Sequence, residues 1–125
     1  MRYAALILPL LLIAVAYGLD LAKILGAHPW WSRDVVLYGA LGGGSLAGGV
    51  LWLSARPAAW ALGFWALAGG GVSVATWGKT QFVASYAEDA LAGQIWFFGW
   101  IAACLFAVAA ATMTGAALAR VRLSR

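Results

Sequence analysis

Apolar residues in this chain come in long unbroken runs, without the alternation of a half-buried strand or the single stripe of a soluble helix. Four runs stand out: residues 3 to 19, with a continuation toward 25; residues 35–54; residues 58–77; and residues 95–118. None carries Asp, Glu, Lys or Arg in its interior. At about 1.5 Å per residue each is long enough for a hydrocarbon core about 30 Å thick. Pro9 is expected to weaken the first run near its start, because it removes the helical bond to the carbonyl of Ala5.

The polar breaks differ in kind. Ser54-Ala55-Arg56-Pro57 reads as a tight turn, with Pro57 at the first position of the next helix. Residues 26–34 form an interfacial loop carrying Trp30 and Trp31. In residues 79–93, Phe82, Val83, Tyr86, Ala90 and Leu91 fall at helical spacing with Glu88 and Asp89 turned away, which predicts a short amphipathic surface helix. The pattern therefore predicts one all-α integral membrane domain over residues 1–125. It has four transmembrane helices and a short surface helix between the third and fourth. The first run, followed by Ala14-Val15-Ala16, has the outline of a signal peptide. We expect it to be retained as a first membrane helix.

Composition strengthens this reading. Apolar residues make up 65% and charged residues 10% of the 125 positions, against about 25% charged in soluble domains. The net charge of +4 does not point to nucleic acid, because Arg120, Arg122 and Arg125 gather in the tail and the other basic residues are scattered. With four spans, Arg2, Arg56, Arg120, Arg122 and Arg125 share one side with no acid. Lys23, Arg33 and Lys79 share the other with Asp20, Asp34, Glu88 and Asp89. The richer basic side is expected in the cytoplasm, giving a multi-pass protein of a bacterial inner membrane with both termini inside.

Small residues carry the most specific signal. The stretch containing Gly39, Gly42, Gly43, Gly44 and Gly48 would be a loop in water, since glycine costs nearly 1 kcal/mol per helical residue. In lipid it stays helical and offers almost bare backbone, so the second span is expected to be central and closely packed. The fourth span repeats a small residue every fourth position, at Gly99, Ala103, Ala107, Ala111, Gly115 and Ala119, a spacing suited to close right-handed crossings.

Aromatic residues mark both interfaces: Trp30, Trp31, Trp77, Trp96, Phe97 and Phe98 on one side, Trp52 and Trp60 on the other. Trp65 and Trp100 lie deeper, where their indole N–H groups need partners. With Ser73 and Thr76 they form a candidate face for a flat apolar ligand such as a quinone or pigment.

Catalytic chemistry finds no residues. His28 is the single histidine and Cys104 the single cysteine, so neither a metal cluster nor a disulfide is expected. No phosphate-binding loop or Ser-His-acid set is present. Length and span number match the small multidrug transporters, yet their membrane-embedded glutamate has no counterpart before Asp20. The Asn and Thr-Ser motifs of dual-topology fluoride channels are also missing. With no ionisable group inside a span, proton or ion translocation is disfavoured. The expectation is a non-catalytic accessory subunit without cofactor. It would contact lipids and pack against a larger respiratory or photosynthetic membrane complex, or form a homo-oligomer. The alternative is a small oligomeric transporter lined by Ser45, Ser73, Thr76, Thr112 and Thr114.

Overall fold

The computed structural model describes residues 2–125 and is helical almost throughout. A 3-10 turn, Arg2–Leu6, leads into α1 (Ile7–Gly18), followed by a single helical turn, α2 (Leu21–Ile24). Three long helices follow: α3 (Ser32–Leu53), α4 (Pro57–Ala84) and α5 (Ala90–Leu123). These three are long and apolar enough to cross a membrane, whereas α1 has only 12 residues.

The first run is not one helix because Asp20 interrupts it. Its backbone is left-handed, with φ at 52°, a conformation that Asp tolerates better than most residues. The predicted surface helix is also absent, and in its place α4 continues to Ala84 and α5 starts at Ala90. Between them Tyr86 and Ala87 take positive φ. The Ser85 hydroxyl donates to the Phe82 carbonyl (2.8 Å) and accepts from the Asp89 N–H (2.9 Å). Asp89 then caps α5 by accepting from the Ala92 N–H at 3.0 Å. The helical spacing from Phe82 to Leu91 belongs to two helix ends, not to one amphipathic element. Phe82 folds back over Gly93, 3.1 Å from where a Cβ would stand.

Helix α5 is the hub, and the expectation that the glycine-rich second span would be central is corrected. Half of the most apolar stretch of α5 is buried, against 28% in α3 and 22% in α4. The 3-10 turn, α1, α3 and α4 all dock on α5, whereas α3 and α4 hardly approach each other. On α4 the inward positions are Pro57, Ala61, Phe64, Ala68, Gly71, Ala75 and Gly78, alternating steps of four and three. That is the heptad seam of nearly aligned helices rather than the i+4 ladder of a right-handed crossing. Ala75 lies against Gly99, Gly71 against Ala103 and Gly78 against Trp96.

Two clusters fill the interior. One gathers Val35, Val36, Ala75, Trp96, Trp100 and Ala103 with Ala22 and Ala27. The other joins Ala47, Ala61, Phe64, Ala109, Ala110 and Met113. The end near Trp96 is closed by aromatic contacts. Trp31 meets Trp96 and Phe97 edge-on at 5.4 and 5.1 Å, and the Trp96 indole donates to the Gly26 carbonyl at 3.1 Å. His28 sits in the same group, its Nδ1 accepting the Trp30 N–H at 3.1 Å. At the other end Arg120 donates to the Ala55 carbonyl, tying the tail of α5 to the α3–α4 turn.

Candidate functional site

Two surfaces on this frame have properties that packing inside the chain does not use. The first is the outward side of α3. Its inward side is close to backbone contact with α5. A Cβ at Gly39 would stand 2.7 Å from the Cys104 carbonyl carbon, and one at Gly42 would stand 2.7 Å from Leu105 Cδ1. At Gly43 it would stand 2.9 Å from Val108 Cβ and nearer still to the Leu105 carbonyl. Gly44, Gly48 and Gly49 instead have nothing within 4 Å of a Cβ position. The glycines foreseen as one packing set thus divide between two faces, one occupied and one open. Leu41 and Trp52 are exposed on the same helix, at 73% and 89%. Ser45 turns its hydroxyl back onto the Leu41 carbonyl at 2.8 Å, so the open face presents no free polar group there.

The small-residue ladder of α5 also divides, for a geometric reason. Each step of four residues advances about 40° beyond a full turn. Gly99 and Ala103 therefore meet α4, Ala107 and Ala111 line an open trough, and Gly115 meets the backbone of Ala5. One ladder serves successive neighbours instead of one partner.

That trough is the second surface. It runs along α5 between α1 and α4 in two connected parts of about 390 and 320 Å³, both lined by Leu12 and Trp65. Trp100, Ala103 and Ala107 floor the larger part, and Leu8, Val15 and Ala111 line the smaller. The Trp65 indole donates to the Thr114 hydroxyl at 3.1 Å, which satisfies its N–H and fixes the ring. Trp65 and Trp100 of the candidate ligand face are therefore brought together. Ser73 lies elsewhere, with Val74, Trp77 and Ile95. Thr76 is exposed on α4, its hydroxyl bonded to the Val72 carbonyl at 2.8 Å.

The five hydroxyls weighed as a transport lining do not converge. Ser45, Ser73, Thr76, Thr112 and Thr114 each donate to the carbonyl four residues earlier on their own helix. Among the described residues no three His, Cys, Asp or Glu side chains gather around a common point.

Of the basic residues expected on the same side as Asp20, the structure pairs it with Arg33. Asp20 faces Arg33 at 3.6 Å, while its Oδ1 is buried without a hydrogen-bond partner. Arg33 Nε donates to the Tyr17 carbonyl at 3.0 Å and so satisfies the exposed end of α1. A lone Asp directly after a Gly-Leu pair inside an apolar run was the available signal for this break.

No protein-family model, curated protein sequence or solved structure matches this chain.

Proposed function

We propose that this chain is a non-catalytic structural subunit of a larger integral membrane complex. In this reading the chain crosses the bilayer four times, with α1 and α2 together making the first crossing. Both termini lie on the cytoplasmic side, where Arg56, Arg120 and Arg122 collect without acids. The observation that carries the reading is the open face of α3. Gly44, Gly48 and Gly49 expose backbone that another helix can approach closely, while the opposite side of the same helix is already filled. Glycine gives a lipid-facing helix no advantage, because acyl chains pack as well against leucine. The five self-bonded hydroxyls and the absence of Asp, Glu, Lys and Arg from residues 35–54, 58–77 and 95–118 give a transport path little to work with.

The test places a photo-crosslinking residue at Ser45 on the open face or at Leu10 of α1, in the native membrane. The Ser45 position should give a discrete higher-mass adduct with another integral membrane protein, and Leu10 should give mainly lipid adducts. Equal adducts from both positions, or a Ser45 adduct consisting only of two copies of this chain, would remove the accessory-subunit reading. Orientation is checked separately by cysteine labelling in a Cys104-free background. A cysteine at Ser124 should react only from the cytoplasmic side and one at Ser85 only from outside.

A further inference from the structure

The trough does not end among apolar residues. Its smaller part shares Leu8 with a further cavity of about 370 Å³ at the end of α5, lined by Ile7, Gly115, Leu118, Ala119, Arg122 and Arg125. Basic side chains therefore stand at the mouth of an apolar channel that opens sideways to the membrane. Among the described residues neither arginine is in an ion pair. The ion pair found among the described residues is Arg33 with Asp20, far along the chain, and Arg120 is the tail arginine held by the Ala55 carbonyl.

We propose that this mouth binds the phosphate head of an anionic glycerophospholipid, with one acyl chain lying along the smaller part of the trough. Charge complementarity supplies the head. Two guanidiniums outweigh the partial negative charge at the end of α5, roughly half an elementary charge. Arginine is also suited to phosphate by its planar fork of donors. Length supplies the tail. Ala111 stands roughly 16 Å along α5 from Arg122, at about 1.5 Å per residue, which is about half of a 30 Å hydrocarbon core. At that depth the ring of Trp65, pinned to Thr114, stands between the two parts of the trough. The depth from arginines to tryptophan is thus one leaflet, the reach of an acyl chain whose head stays at the surface. Basic pockets between helices near one membrane face are the usual shape of anionic-lipid sites. The site shares no residue with the open face of α3 and requires membrane insertion but no partner protein.

The test uses the full chain in nanodiscs of equal phosphatidylglycerol and phosphatidylcholine, ejected for native mass spectrometry. Phosphatidylglycerol should be retained in preference, by roughly fivefold for each arginine and about 30-fold for the two. Arg122→Gln or Arg125→Gln should each remove about one fivefold step, and the double variant should bring both lipids to parity with helix content unchanged. Leu8→Trp, which fills the channel beneath the mouth, should lower retention with both arginines in place. Equal retention of the two lipids by the unaltered chain would overturn the proposal, as would a preference that survives the double substitution. Displacement of phosphatidylglycerol by an equal amount of a polyprenyl phosphate would also overturn it, assigning the site to a longer isoprenoid tail.

Discussion

Gly43 and Gly44 are neighbours in the middle of α3, and alanine at each should have different consequences. Both replacements gain the same helix propensity, about 1 kcal/mol in water-based scales, so the comparison cancels that contribution. What differs is the space. The new methyl at Gly43 meets Val108 Cβ at 2.9 Å, the Ala109 nitrogen at 3.2 Å and, closest, the Leu105 carbonyl. Backbone atoms of a buried helix cannot swing aside as a flexible side chain can. Relief therefore requires α3 to move away from α5, loosening the neighbouring contacts at Gly39 and Ala47. Overpacking of this kind costs about 1–3 kcal/mol, which cancels or exceeds the gain. At Gly44 nothing lies within 4 Å, so the gain remains. Gly43→Ala should thus fall below Gly44→Ala by about 1–3 kcal/mol when unfolding from detergent micelles is followed by circular dichroism. Equal stabilities, or the reverse order, would mean that α3 does not meet α5 through this face.

Trp65→Phe and Thr114→Val each remove the indole–hydroxyl bond across the trough and should cost about 0.5–1.5 kcal/mol. The double variant should cost little more than either single one, and full additivity in the cycle would show that the two groups do not interact. At Asp20, glycine should match or exceed the native stability by about 1 kcal/mol, because it accepts φ of 52° and removes the partnerless buried oxygen. Alanine at Asp20 keeps the left-handed strain and should lie about 1 kcal/mol below glycine; equal melting of the two variants would refute this account. Ala87→Gly, in the turn between α4 and α5, should likewise stabilise by about 1 kcal/mol, read as slower proteolysis at that turn.

The runs of apolar residues made the long helices legible, because composition alone separates lipid-crossing segments from soluble ones. Which side of each helix faces inward was not legible. In α4 the α5 seam is mostly Ala and Gly with Phe64, and the outward surface mixes Ala and Gly with Leu and Trp, so both sides are apolar and polarity carries little direction. The alternation of three and four from Pro57 to Gly78 was present, but it competed with equally good i+4 spacings such as Ala59 with Gly63. The glycines of α3 announced close approach correctly in kind without saying from which side. Centrality went to the alanine-rich α5, whose small residues are distributed around the helix rather than crowded into one stretch. Of the candidate ligand face, Trp65 and Trp100 were found through their depth. Ser73 and Thr76 were included for their hydroxyls, which the backbone of their own helix had already taken. The tail arginines were legible as a basic anchor suited to anionic lipid, but their link to the trough was not, since it depends on Ile7 and Leu8 arriving from the far end of the chain.

The hub position of α5 bears on how the protein is made. The ribosome delivers α1, α3 and α4 before α5; α1 and α2 can already rest on α3, with Arg33 reaching Asp20 and the Tyr17 carbonyl, but α4 has little to hold it until residues 90–123 emerge. Until α5 enters, α4 stands apart and the glycines of α3 that α5 will cover are bare, open to capture by other proteins or by quality-control proteases. The arrival of α5 then joins α4 to α1 and α3 in one step. A nonsense codon or a stalled ribosome anywhere before Ala90 would leave α3 and α4 without the helix that joins them.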